Sequence, residues 1–292
     1  MSTNPSARGS LRLDAGRSSA VIDLEHGGRL ASLRIDDREL LVGPPVPRDG
    51  SIGWGCFLMA PWPGRLANAR LQWRGRTIQL PRNHGRHAIH GLLYGVPWTV
   101  AAKTKTEARL SVELGSVGWP FGGRVRQRIA LEPRRLVLEA EVDADRPMPA
   151  ALGWHPWFDR RGADPRVRVE ADRVLVTSDM IPTGQRIPVR GLTDLRTGPQ
   201  LGRRRLDHVY TEAQSPAVIS WPDLELRLEF EPPLTTVVVH TPQRGFCVEP
   251  QTAWPNDLGV PARRAAAAHR ADLEPGGSLA ARLALVWSLP PG

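Results

Sequence analysis

Three short stretches set proton-carrying side chains beside Gly or Pro: Asn83-His84-Gly85-Arg86-His87-Ala88-Ile89-His90-Gly91, Leu152-Gly153-Trp154-His155-Pro156-Trp157-Phe158 and Phe246-Cys247-Val248-Glu249-Pro250-Gln251-Thr252. Two histidines, His90 and His155, and one carboxylate, Glu249, are therefore expected at loop or strand ends around one pocket, as an acid/base set. An imidazole with an unperturbed pKa near ~6.5 can donate or accept a proton near neutral pH. Glu249 ends an apolar run, so partial desolvation is expected to raise its pKa and make it a stronger base. His155 stands among Trp154, Trp157 and Phe158, an aromatic wall suited to the C–H face of a hexose, with Trp54, Trp62, Trp98 and Trp254 as further candidates for it. Each of the three also has a plain structural reading: a histidine bonded to a carbonyl, a core histidine, a glutamate paired with arginine.

His84, His87 and His90 at spacings of three raise a metal reading. Gly85 argues against the helical or finger arrangements that use such spacing, and a further ligand at recognisable spacing is lacking. Phosphate-cradling glycine motifs and the GxSxG elbow are absent. Neither a metal nor an organic cofactor is expected.

The elements that must position these groups read as strands. Leu224 to Phe230 alternates apolar and charged residues, Leu136 to Val142 does so on its core face, and Leu279, Ala281, Leu283, Leu285 and Trp287 repeat the period near the C-terminus. Shorter candidates are Ala20 to Leu24, Leu30 to Ile35, Arg109 to Leu114, Arg124 to Leu131, Val167 to Glu170, Val174 to Thr177 and Thr235 to His240. Pro261 to Ala271 is the best helical candidate, while Gly162 to Pro165 and Gly184 to Gly202 read as loops. The expectation is one all-β domain over residues 1–292, its first ten residues flexible.

Composition limits the rest. Hydrophobic residues at 41% and charged residues at 24% are ordinary for a globular chain. The net charge of +9 comes almost wholly from scattered arginines, Lys103 and Lys105 being the lysines, rather than from a basic stripe with exposed aromatics. No nucleic-acid partner is expected. Cys56 and Cys247 read as buried free thiols. Without an apolar leader or an 18-residue apolar run, no membrane association and a cytoplasmic location are expected.

The motifs together resemble the aldose 1-epimerase (galactose mutarotase) family. The resemblance runs in order through Leu24-Glu25-His26-Gly27-Gly28-Arg29-Leu30, Ala60-Pro61-Trp62-Pro63-Gly64-Arg65-Leu66, Ile89-His90-Gly91, Gly153 to Phe158, Leu206-Asp207-His208-Val209-Tyr210, Val248-Glu249-Pro250 and Leu273-Glu274-Pro275-Gly276-Gly277. It implies a β-supersandwich of large twisted antiparallel sheets, with Glu249 as general base, His155 as general acid and His90 assisting near the ring oxygen. It further implies Arg65 and Asp207 as sugar contacts, with Trp157 in the aromatic wall. Gly64 and His87 stand where the family usually has asparagine, so sugar preference is expected to vary.

The activity implied is interconversion of the α and β anomers of an aldohexose by ring opening and reclosure, in a monomer or homodimer whose partner is a small sugar. One alternative is an epimerase of the glucose-6-phosphate 1-epimerase type, with Arg82 and Arg86 as candidate phosphate contacts. The other is a non-catalytic carbohydrate-binding protein on the same scaffold.

Overall fold

The computed structural model describes residues 9–260 and 269–289. Its strands form two large antiparallel sheets. The first runs in the order Ser10–Ala15, Ser18–Asp23, Arg29–Ile35, Cys56–Met59, Gly153–Phe158, Phe246–Gln251, Thr236–His240, Asp207–Thr211, Arg173–Ser178, Ile181–Pro188, with Arg38–Glu39 paired beside Arg29–Ile35. The second has the order Thr99–Lys103, Glu107–Glu113, Arg124–Glu132, Arg135–Asp143, Ser278–Ser288, Leu224–Phe230, Gln214–Trp221, Arg166–Glu170.

Alternation sets which face is buried. In Leu224–Phe230 the leucines and Phe230 enter the core while Glu225 and Arg227 face water. The main apolar cluster joins these leucines to Leu136, Leu138, Leu283 and Leu285 of the second sheet and to Trp154, Phe158, Phe246 and Val248 of the first. All ten strands expected from the sequence are present, with ends displaced by a residue or two.

Several expectations are corrected. Gly184 to Gly202 is not a loop throughout, because Ile181–Pro188 is an edge strand paired with Arg173–Ser178. Its side chains are mostly exposed, so no apolar alternation marks it. Ser10 is not flexible tail but the first residue of a strand, and the Gly9 carbonyl accepts the Leu24 N–H. The remaining N-terminal residues, and most of the Pro261 to Ala271 helix candidate, lie outside the described residues, while Ala271 opens the strand Ala271–Leu273. Cys56 and Cys247 are buried and free, as expected. No helix among the described residues is long and apolar enough to cross a membrane.

The stretches around His155 and Glu249 are not strand ends. They are the two adjacent central strands of the first sheet, buried at every position. One face, with Trp154, Phe158, Phe246 and Val248, packs into the main core. The other, with Trp157 and Cys247, joins Phe57, Met59 and Trp54 in a second apolar cluster beneath a pocket. At the far edge of the second sheet, the strand Thr99–Lys103, exposed at every position, ends in Lys103, with exposed Lys105 two residues on.

Candidate active site

Strand register brings the chemistry together. Gly153 pairs with Gln251 and Trp157 with Cys247, which puts His155 opposite Glu249 in unbroken register. On the flanking strands His155 pairs with Phe57, Glu249 with Val238, and His240 with both Cys247 and Asp207. Since every second side chain shares a face, Phe57, His155, Trp157, Glu249, Gln251, His240 and Asp207 all rise from one side of the sheet. The ladder between the two central strands is interrupted between Gly153 and Trp157, where Pro156 and Pro250 have no N–H to donate.

His90 enters from the side. It follows the short strand Ala88–Ile89, which pairs with Arg65–Leu66, and adopts a left-handed backbone with φ of 57°. Gly91 continues that turn at φ 74°, so close to the next segment that a Cβ there would stand 1.9 Å from the Ala60 carbonyl oxygen. Only glycine fits. The backbone of Gly64 clasps His90, its carbonyl accepting the His90 N–H at 3.0 Å and its N–H donating to Nδ1 at 3.3 Å. With Nδ1 accepting, the neutral ring carries its proton on Nε2.

These groups line a pocket of about 250 Å³, a size suited to a small ligand, with Arg65, His84, His90, His155, Trp157, Asp207, His240, Glu249 and Gln251 in its wall. All six residues singled out for catalysis or sugar contact therefore reach one cavity. His155 Nε2 stands 3.3 Å from Glu249 Oε1, with both side chains almost completely buried. Asp207 Oδ2 lies 4.0 Å from Arg65 Nη1 and 3.7 Å from His240 Nδ1. Trp157 lines the pocket with its indole stacked on the His155 ring, centroids 5.6 Å apart. Trp54, Trp62 and Trp98 are core, and Trp254 stacks on His269, so none of them joins Trp157 in the lining.

Burial dominates the electrostatics. It holds His155 well below the ordinary imidazole range, reinforced by His90 and His240. His90 is lowered to about 3 by burial, then by the Arg65 charge. Glu249 is pushed well above the usual carboxylate range by burial and by the charge of Asp207, against which a Gln251 hydrogen bond and Arg65 work. Both shifts favour the uncharged forms, Glu249 with its proton and His155 without. A proton passed from Glu249 to His155 across the 3.3 Å between them would leave a carboxylate beside an imidazolium, one base and one acid.

His84, His87 and His90 do not converge on a metal site. The His87 ring accepts the Asn68 N–H and faces Asp179, while His90 is held by Gly64. The donors of His155, Cys247 and Glu249 lie within 4.8 Å of one another. Burial keeps the Cys247 thiol well above its ordinary range, however, and a ligating thiol must give up its proton. A larger groove of about 670 Å³ lies on the second sheet, where Arg126–Glu141 and Arg128–Glu139 already neutralise one another.

His240 and Gln251 are pocket residues that the sequence did not single out. His240 ends a valine run and looked like an ordinary strand end. Gln251 lay inside a quoted motif but has no titrating group.

The family model described as "Aldose 1-epimerase" matches residues 9–284. Among curated Escherichia coli (strain K12) proteins, the uncharacterized YihR is 34% identical over 112 residues, covering 37% of this chain and 36% of that protein. The uncharacterized YphB is 26% identical over 170 residues, covering 56% and 53% respectively. The chain thus spans about a third to a half of the length of these curated relatives. The crystal structure of a GalM/aldose epimerase homologue from C. elegans superposes with a TM-score of 0.82 at 19% identity, covering 96% of this chain and 99% of that one, a likeness of fold.

Proposed function

This chain belongs to the aldose 1-epimerase family, and on that premise we propose that it interconverts the α and β anomers of a free aldohexose. The observation that carries the proposal is the 3.3 Å separation of Glu249 Oε1 and His155 Nε2 in one small pocket. The anomeric carbon of a pyranose bears two oxygens, the C1 hydroxyl and the ring oxygen. Opening the hemiacetal requires a proton to leave the first and another to reach the second, so acceptor and donor must be close neighbours.

In this mechanism Glu249 takes the C1 hydroxyl proton while His155 protonates the ring oxygen. The C1 hydroxyl oxygen becomes the aldehyde oxygen, the bond from C1 to the ring oxygen breaks, and neither oxygen carries a full charge. Rotation about C1–C2 presents the other carbonyl face. Glu249, now protonated, then returns its proton to the carbonyl oxygen as the chain hydroxyl attacks C1 and gives its own proton to His155. Two protons move on opening and two on reclosure, and the pair ends as it began. Each positioned transfer is worth ~10²–10⁴-fold in rate. His90, its Nε2 protonated, donates a hydrogen bond near the ring oxygen, while Arg65 and Asp207 bind hydroxyls and Trp157 walls the sugar.

The pocket charges favour an uncharged sugar over a phosphorylated one. Arg65 is the arginine in the lining and faces Asp207, Arg82 is not part of the lining, and Arg86 is paired with Asp179. Optical rotation of freshly dissolved α-D-glucose and α-D-galactose tests the proposal. The protein should accelerate relaxation of at least one sugar over buffer, and Glu249→Gln should abolish the effect. No acceleration of either would remove these hexoses as substrates.

A further inference from the structure

Gln251 donates from its side-chain amide to Glu249 Oε2 at 3.1 Å, and both residues are buried. The amide presents its NH₂ to this oxygen, the arrangement that suits a carboxylate. Its Oε1 is buried and has no hydrogen-bond partner among the described residues. The side chain reaches this place across Gly153, its register partner. A Cβ on Gly153 would stand 2.9 Å from Gln251 Cγ and 3.0 Å from Met59 Cε. Gly153 has no positive φ among the glycines that do, so it is glycine for space, and Gln251 occupies that space.

Resting on the function proposed above, we infer that Gln251 is a positioning residue that ties down Glu249 Oε2 and leaves Oε1, facing His155, as the oxygen that handles the substrate proton. A donor on the carboxylate also favours its charged form, the one that acts as base. Gly153 is the second component, keeping the path of Gln251 clear.

Two variants test this, Gln251→Leu and Gly153→Ala, with the Glu249 carboxyl followed by ¹³C NMR in sugar-free protein and assigned through Glu249→Gln. With the donor lost or displaced, the Glu249 titration should move to higher pH in both variants. Gln251→Leu should also lower kcat about tenfold with KM changed less than about twofold. An unmoved Glu249 titration in both variants would overturn the inference. The titration is read without sugar, so a protein inactive on every aldose would sink the proposed function while leaving this result standing.

Discussion

The ring of Phe57 lies close to parallel with the imidazole of His155, centroids 4.8 Å apart and planes inclined by 23°. Trp157 stacks on the same imidazole at 8°. Aromatic faces attract a cation, so these rings favour the imidazolium that burial alone opposes. Phe57→Leu keeps the volume apolar but removes one face, and should lower kcat about 2- to 30-fold with KM nearly constant. Saturation kinetics by polarimetry would check it, and an unchanged kcat would reduce the stack to packing.

Glu249 and His155, 3.3 Å apart and both buried, should behave as a unit. Glu249→Gln and His155→Gln are each expected to remove ~10²–10⁴-fold of activity, and the double variant little more than the worse single one. Losses that multiply in the double variant would mean independent roles.

The pH dependence follows from the same pair. Two protons leave no base, and none leaves no acid, so activity requires the one-proton state. On the acid side the second proton must enter His155, which burial holds well below 6.5, so the acid limb should lie below the ordinary histidine range. On the alkaline side the last proton leaves Glu249, which burial and Asp207 hold well above 4.5. Asp207→Asn removes a charge that raises Glu249, so the alkaline limb of kcat/KM should move to lower pH. A limb that stays put, or moves upward, would contradict the assignment.

Stability should fall with acid through His90. Its pKa drops from 6.5 to about 3 on folding, so between those values the unfolded chain binds a proton that the folded protein refuses. Unfolding free energy then rises with pH across this window by up to ~1.4 kcal/mol per unit from this one group, and is insensitive to it above about 6.5. His90→Gln should show a correspondingly shallower slope in urea unfolding at pH 7, 5.5 and 4.5. Equal slopes for both proteins would show that His90 is not held neutral.

Legibility of the site followed the kind of signal each residue leaves. Glu249, His155 and His90 stood out because titratable groups beside aromatics, Gly and Pro are conspicuous in a period-two chain. Their setting was misread for the same reason: Gly153, Pro156 and Pro250 suggested strand ends, whereas the glycine makes room for a neighbour's side chain and the prolines interrupt one ladder inside a sheet. Gln251 and His240 matter through cross-strand register, which no local pattern encodes. The Leu224–Phe230 and Leu136–Val142 alternations were legible because one face of each is buried, and Ile181–Pro188 was missed because it has no buried face.

Lys103 and Lys105 are the chain's lysines, and both lie at one rim of the sheet that does not carry the pocket. Reagents selective for side-chain amines therefore have one place to react. With the α-amine blocked, coupling the protein to an activated bead or electrode would anchor it by that rim, on the sheet that does not carry the pocket.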